Sequence, residues 1–240
     1  MMERVMKASA MRWTNWSATA AGAILLLACQ QSPRSSGTVT DKRSISAEVL
    51  PTADLKAVAE PFETIAEQAF TADPDQLRGL ITKAEASYGA VKPTLTPQQR
   101  NVADGHVAAI RKAEQQRDSV GTALASVEMY RMLLEDQNSP GDLAIRAGLL
   151  DYAGFRYDAL AQASEVRWPD MARTVEFAGA EWNRLAPSIN DKSLREQFST
   201  SLKAMSEAAD KRDRAAARKA AAAELQLVDL LEKQLPAEHR

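Results

Sequence analysis

Cysteine and histidine are the scarcest chemically active residues of this sequence, with one cysteine and two histidines among 240 residues. A single cysteine excludes an intramolecular disulfide, a cysteine-based metal cluster and covalent haem attachment. The histidine motifs of di-iron bundles and zinc peptidases are absent, as are the glycine-rich phosphate loop and the Gly-x-Ser-x-Gly motif of hydrolases. These absences lower the expectation of an enzyme, although a catalytic site can also be assembled from distant residues.

Strong positive charge is also lacking, since 30 basic and 32 acidic residues give a net charge of −2. Proteins that bind nucleic acid usually carry a basic patch that neutralises phosphates. The charge balance therefore argues against nucleic acid as a partner.

The N-terminus, by contrast, has the features of an export signal. Arg4, Lys7 and Arg12 give a positive leading region, and an apolar stretch follows over residues 20–28. This stretch is too short for a permanent membrane-spanning helix, which needs about 20 apolar residues. The pattern predicts a cleaved signal peptide over residues 1–28.

The end of the apolar stretch resembles the lipobox of bacterial lipoproteins. It reads Leu26-Leu27-Ala28-Cys29, and Cys29 is the only cysteine in the chain. The resemblance implies cleavage before Cys29, a diacylglycerol on its thiol and an acyl chain on the new amino group. Two or three acyl chains anchor a protein stably, because each buried methylene contributes about 0.8 kcal/mol. The alternative is an ordinary secretory signal with an incidental cysteine.

The residue after the cysteine indicates the destination of such a protein. Lipoproteins with a residue other than aspartate there usually go to the outer membrane, and this chain has Gln30. The resemblance therefore implies an outer-membrane protein that faces the periplasm, with the inner membrane as the less favoured location. Removing residues 1–28 takes away three basic side chains and one acidic side chain, which changes the net charge from −2 to −4.

The rest of the chain divides into a tether and a helical region. Residues 29–51 are rich in Ser, Thr, Gln and charged residues, which predicts a flexible lipidated tether. Good helix formers then dominate, apolar residues recur at helical spacing, and no sustained strand alternation occurs. The sequence predicts an all-α domain with eight helical segments, at 53–70, 75–92, 97–116, 119–137, 143–163, 169–186, 192–211 and 214–235.

The helical region also contains an internal repeat of about 95 residues. Turn markers, aromatic residues and an acidic residue recur in the same order, with small slips in the offset. The repeat predicts two tandem four-helix units, over residues 52–139 and 140–236, packed either as two bundles or as one bundle of paired units. The matching pairs are Pro74-Asp75 with Pro169-Asp170, Arg117-Asp118 with Arg212-Asp213, Tyr88 with Trp182, and Glu128 with Glu224.

The third break in each unit is the least obvious from the pattern. A continuous helix through Arg117 or Arg212 would point these arginines at the core, which is costly without a partner. A turn with Asp118 and Asp213 as N-caps removes this cost, so we predict a turn at both positions.

The sequence offers three candidate metal-ligating residues, none of which belongs to a recognised motif. His106 lies on an apolar helix face, where a partly buried structural histidine is the common outcome. Glu128 and Glu224 are related by the repeat, so they could face each other and bind a cation or share a proton. Solvated positions or local salt bridges are the simpler interpretation, and we predict no metal site and no non-covalent cofactor.

These observations together predict a membrane-anchored periplasmic lipoprotein with a non-catalytic binding or scaffolding role in the cell envelope. The expected partners are the membrane, through the lipid anchor, and an envelope protein. One alternative is a helical bundle that carries a metal, haem or an apolar ligand. A second alternative is an envelope enzyme of unknown reaction.

Overall fold

The computed structural model describes residues 55–135 and 142–235, and these ranges contain helices and no strands. The all-α prediction is therefore confirmed. The predicted signal peptide, Cys29 and the predicted tether lie outside the described residues. Within them, the α-helices in chain order are α1 (Leu55–Gln68), α2 (Pro74–Val91), α3 (Pro97–Gln115), α4 (Ser119–Glu135), α5 (Leu143–Gln162), α6 (Trp168–Leu185), α7 (Lys192–Asp210) and α8 (Arg214–Gln234).

The helix ends agree with the predicted segments to within two residues. Short 3-10 helices, Lys92–Thr94 and Ala186–Ser188, continue α2 and α6 through the two proline-containing turns. After the first helix ends at Gln68, the backbone N–H groups of Thr71 and Ala72 both donate to the Gln68 carbonyl, at 3.0 Å and 2.9 Å. None of the helices in the described ranges is both long enough and apolar enough to cross a membrane.

Proline and polar residues mark helix starts, as the sequence pattern predicts. The Asp73 carboxylate accepts from the backbone N–H of Gln76 at 2.9 Å, and the Gln76 side chain accepts from the backbone N–H of Asp73 at 3.2 Å. Thr96 and Gln99 form the same reciprocal pair at the start of α3, and Pro74 stands in the first turn of α2. Such capping boxes satisfy amides that have no partner inside the helix, so these helix starts are encoded locally.

The third break in each predicted unit is a tight turn at an arginine with positive φ, 55° at Arg117 and 53° at Arg212. The backbone N–H of Asp118 donates to the Ala113 carbonyl at 2.9 Å, and that of Arg117 donates to the Glu114 carbonyl at 2.9 Å. This pair of bonds defines a Schellman motif, and an equivalent pair closes the turn at Arg212. The prediction of a turn at both positions is confirmed.

The aspartates after these arginines cap the following helices. Asp118 accepts from the backbone N–H of Gly121 at 2.9 Å, and Asp213 accepts from that of Ala216 at 3.0 Å. Both arginines are exposed, so their charges lie in solvent rather than in the core.

The helices pack in two groups of four, and in each group the last helix contacts the first; we call each group a circuit. In the first, α1, α2, α3 and α4 pack against their neighbours in chain order, and α4 returns to α1. In the second, α5, α6, α7 and α8 do the same, and α8 returns to α5. The circuits meet along α4 and α5, with a smaller contact between α1 and α5. Apolar side chains from all eight helices belong to one hydrophobic core.

Helix α5 lies at the centre of this arrangement, because it packs against α1, α4, α6 and α8. Its side chains are buried on nearly every face. Even the fully buried Tyr157 finds a hydrogen-bond acceptor there, since its hydroxyl donates to the Met205 carbonyl at 2.6 Å. Of the charged residues on α5, Asp151 is the one accommodated within the protein interior.

Candidate functional site

The buried Asp151 on α5 is influenced by acidic side chains from α1 and α8. Asp151 is only 5% exposed. The carboxyl groups that act on it most strongly are those of Glu63, Glu232, Glu224 and Asp229. Burial, followed by the negative charge of these neighbours, raises the pKa of Asp151 well above its ordinary value. We refer to Glu63, Asp151, Glu224 and Glu232 as the acidic cluster.

Glu224 is the most deeply buried member of the acidic cluster. Its side chain is fully enclosed, and neither carboxyl oxygen has a hydrogen-bond partner within the described ranges. Burial raises the pKa of Glu224 well above its ordinary value. The carboxyl group fits against α5 because position 154 is glycine: a Cβ atom there would lie 2.2 Å from Glu224 Oε2.

Tyr130 of α4 links the acidic cluster to the contact between the two circuits. Its hydroxyl is hydrogen-bonded to Glu63, and a Cβ atom at Gly148 would lie only 2.7 Å from that hydroxyl oxygen. Burial and the nearby Glu232 raise the pKa of Glu63 to about 7, although the hydrogen bond from Tyr130 acts in the opposite direction. Glu63 therefore gains and loses its proton near neutral pH.

The acidic cluster is not arranged like a metal centre. In residues 55–135 and 142–235, no three His, Cys, Asp or Glu side chains converge closely enough to hold a metal ion. The chemistry that the raised pKa values support is the binding and release of protons.

A second polar network joins α4, α5 and α6. Arg156 Nε donates to Glu128 Oε1 at 2.8 Å, and Arg156 Nη1 donates to Thr174 Oγ1 at 2.6 Å. The Tyr152 hydroxyl donates to the same Glu128 oxygen at 3.2 Å. Because Asp151 and Tyr152 are consecutive on α5, this network and the acidic cluster lie on faces of the helix about 100° apart.

Arg131 of α4 extends this network over two aromatic rings. Its guanidinium carbon lies 5.1 Å from the ring centre of Tyr152 and 4.8 Å from that of Phe177. It also donates to the Tyr152 hydroxyl at 3.3 Å and to Glu135 at 2.8 Å. Cation–π contacts and hydrogen bonds together fix the packing of α4 against α5 and α6.

The structure places the three sequence-predicted candidate ligands in two different environments. His106 on α3 is half-buried; this burial lowers its pKa, and the nearby Glu128 carboxylate raises it. Glu128 itself is paired with Arg156, whereas Glu224 belongs to the acidic cluster. The three residues therefore do not form one site. Leu26, Leu27, Ala28 and Cys29 lie outside the described residues.

A cavity of about 450 Å³ opens where the α1–α2 turn approaches the α3–α4 turn. Arg78 contacts Asp75 at 3.0 Å and Glu114 at 3.3 Å. Arg117 makes no ion pair within the described part of the chain. We call this space the arginine cavity; its lining consists of Pro74, Arg78, Arg111, Glu114, Gln115 and Arg117.

Sequence reasoning missed most of the acidic cluster and the whole arginine cavity. One signal for Asp151 was present, because residues 143–162 contain few charged side chains and read as a helix that is apolar on every side. An acidic residue in such a segment is expected to be buried. Glu63 and Arg156 carry no comparable signal, since each is an ordinary charged residue on an amphipathic pattern.

No protein-family description, curated protein or solved structure matches this chain.

Proposed function

We propose that this protein is a lipoprotein of the outer membrane that faces the periplasm and serves as a non-catalytic binding module of the cell envelope. In this proposal residues 1–28 are removed, Cys29 carries the diacylglycerol and the N-acyl chain, and residues 29–51 connect the lipid to the helices. The support is the four-residue motif ending at Cys29, placed directly after the apolar stretch.

We also propose that the helical domain is a duplicated four-helix unit. Three features 94 or 95 positions apart support this proposal. The two positive-φ arginines close equivalent turns. The Tyr88 hydroxyl donates to Asp104 at 2.8 Å, and Trp182 Nε1 donates to Ser199 at 3.0 Å. In the first turns of α2 and α6, an aspartate forms an ion pair with the arginine three residues later: Asp75 with Arg78, and Asp170 with Arg173.

The observation that carries the binding role is the arginine cavity. Its volume of about 450 Å³ falls in the usual range of ligand-binding clefts, and its lining includes three guanidinium groups and one carboxylate. Arg78 and Arg111 are held by acidic neighbours, so they are preorganised, and Arg117 has its guanidinium exposed. This arrangement suits an acidic segment of an envelope protein, because guanidinium groups bind carboxylates through paired hydrogen bonds.

The second half of the chain keeps Arg173 and Arg212 at the positions of Arg78 and Arg117, but it lacks the other charges of the arginine cavity. At an offset of 95, Arg111 and Glu114 correspond to Ser206 and Ala209. A duplicated unit that keeps a charged group in only one copy is expected where that copy has a separate task. This asymmetry supports a binding surface on the first unit.

A ligand-carrying bundle is the second candidate, supported by a smaller pocket next to the arginine cavity. This pocket has a volume of about 110 Å³ and shares Pro74, Glu114 and Arg117 with the larger cavity. Its remaining wall is mostly apolar, with Ala69, Ala72 and Leu77. The volume is below the usual range for a small-molecule site, so the binding of a protein segment is better supported.

The lipid anchor can be tested by mass spectrometry and fractionation of the full chain. We expect the mature protein to begin at Cys29 with added acyl mass and to be found in the outer membrane. The Cys29→Ala variant should keep residues 1–28 or leave the membrane fraction. An unmodified thiol in the mature wild-type protein would contradict the lipoprotein proposal.

The binding role can be tested by reversing the charge at Arg117 and, separately, at Arg212. Arg117→Glu places a carboxylate in the arginine cavity, whereas Arg212→Glu makes the same change at the equivalent backbone position. After crosslinking in intact envelopes, we expect Arg117→Glu to reduce the recovered partner by about tenfold, which corresponds to 1.4 kcal/mol. Arg212→Glu should leave recovery unchanged. Equal recovery with both variants would contradict a partner at the cavity.

A further inference from the structure

The acidic cluster brings together carboxyl groups that would repel one another strongly if all were ionised. Asp151 and Glu224 are 5% and 0% exposed, and they come from α5 and α8. Glu63 from α1 and Glu232 from α8 act on Asp151 as well. A carboxylate buried without a partner is so unfavourable that the group takes up a proton instead.

From α1, Glu60 and Glu67 also act on the Glu63 carboxyl group of the cluster. From α4 the cluster is faced by Tyr130, and from α8 also by Asp229. From α6 the buried carboxyl is Glu181, which is already paired with Arg146 at 2.9 Å and with Arg184. The groups that act most strongly on Asp151 are thus all acidic.

The lack of a side chain at Gly154 makes room for the Glu224 carboxyl group against the backbone of α5. A Cβ atom there would lie 2.2 Å from Glu224 Oε2 and 2.6 Å from Leu225 Cδ2. The carboxyl group of Glu224 therefore packs against the α5 backbone as an apolar group of the same volume would, without hydrogen bonds. Such packing is favourable only for the neutral acid.

We propose that Glu63, Asp151 and Glu224 form a proton-dependent lock, in which bound protons hold α1 and α8 against α5 and their loss loosens these two helices. Glu63 is the outermost of the three, being half-buried, and so exchanges its proton with solvent first. Once Glu63 is ionised, its charge acts on Asp151 across the α1–α5 contact. The lock depends only on the residues of this junction and not on the anchor or on the arginine cavity.

The direction of the pH effect follows from the raised pKa values. Between the ordinary glutamate pKa of 4.5 and the folded-state pKa of Glu63, about 7, the folded protein binds more protons than the unfolded chain. Stability is therefore fully present at acidic pH and is lost as pH rises through about 7. The raised pKa values of Asp151 and Glu224 extend the loss to higher pH.

The test uses urea unfolding of the full chain in a non-ionic detergent, followed by the helical circular-dichroism signal at pH 5, 6, 7 and 8. We expect the wild-type unfolding constant to rise by at least about tenfold between pH 5 and pH 8, as one raised carboxyl pKa requires. Glu63→Gln and Asp151→Asn should each reduce this rise. Glu128→Gln, at the repeat-related position that is paired with Arg156, should leave the rise unchanged.

A second measurement separates the lock from a general loss of stability. Hydrogen exchange at pH 5 and pH 8, corrected for intrinsic rates, should show α1 and α8 losing protection at pH 8 before α3 and α6. Glu63→Gln should restore that protection. Uniform loss across all helices, or the same pH dependence in wild type and in both cluster variants, would overturn the proposal.

Discussion

The first four helices and the last four share a backbone design but surround their repeat-related glutamates with different neighbours. Both halves place an arginine at positive φ before their fourth helix. On α4, Glu128 is paired with Arg156 at 2.8 Å, whereas on α8 Glu224 is fully buried and has no hydrogen-bond partner among the described residues. Both glutamates contact α5: Glu128 pairs with Arg156 of that helix, and Glu224 packs against Gly154. The comparison teaches that the shared helix, rather than the repeat, determines what each glutamate does.

The largest expected effect on stability comes from filling the space between Glu224 and α5. Gly154→Ala places a methyl group 2.2 Å from Glu224 Oε2 and 2.6 Å from Leu225 Cδ2, and Glu224 is fully buried. We expect the free energy of unfolding to fall by about 2–3 kcal/mol, as overpacking in a core usually costs. Urea unfolding measures the change.

The matched control for this prediction is Gly179→Ala on α6, where a Cβ atom would meet nothing within 4 Å. Alanine is the better helix former, so this variant should gain about 0.5–1 kcal/mol. Equal effects of the two substitutions would show that the space at Gly154 is not needed.

Replacing each repeat-related glutamate by methionine sharpens the comparison, because the two changes should have opposite signs. Glu224→Met removes an unpartnered buried carboxyl and should raise the free energy of unfolding by about 1–2 kcal/mol. Glu128→Met leaves the partly buried Arg156 without its carboxylate and should lower it by about 1–2 kcal/mol. Both changes are measured by urea unfolding at pH 7, and a loss in both variants would contradict the different environments described above.

The smallest expected effect concerns the turns that the two halves share. A left-handed conformation costs a non-glycine residue about 1–2 kcal/mol, and both Arg117 and Arg212 adopt it. Arg117→Gly and Arg212→Gly should each stabilise the fold by about 1 kcal/mol in thermal or urea unfolding. The gains should add in the double variant, because the turns belong to different circuits. Arg117→Ala, which keeps the strain, is the control and should bring no gain.

At its end, the proposed repeat is less regular in burial than in sequence. At an offset of 97, Leu134 and Leu231 are both buried, at 1% and 0% exposure. Leu133 is 0% exposed, whereas its counterpart Leu230 is 47% exposed. The difference arises because α4 also packs against α5 of the other circuit, so it must bury a second face that α8 leaves in solvent.

Much of the fold could be predicted from the sequence, whereas the polar groups inside it could not. Helix starts at Pro74 and Pro97 depend on capping residues within a few positions, which any local pattern reveals. The environment of Glu63 depends on residues about 90 and 170 positions later in the chain, Asp151 and Glu232. A contact between such distant residues leaves no periodic trace in a single sequence.

The sequence by itself determined the all-α class, the helix ends and the turns at Arg117 and Arg212, because capping and helical periodicity act over neighbouring residues. It is also the whole basis for proposing a lipid at Cys29, which lies outside the described residues. Only the tertiary structure decided that Glu224 is buried with no hydrogen-bond partner in residues 55–135 and 142–235, while Glu128 is paired with Arg156. The reason is that burial and charge pairing are properties of the space between helices, and that space exists only once α5 has packed against its neighbours.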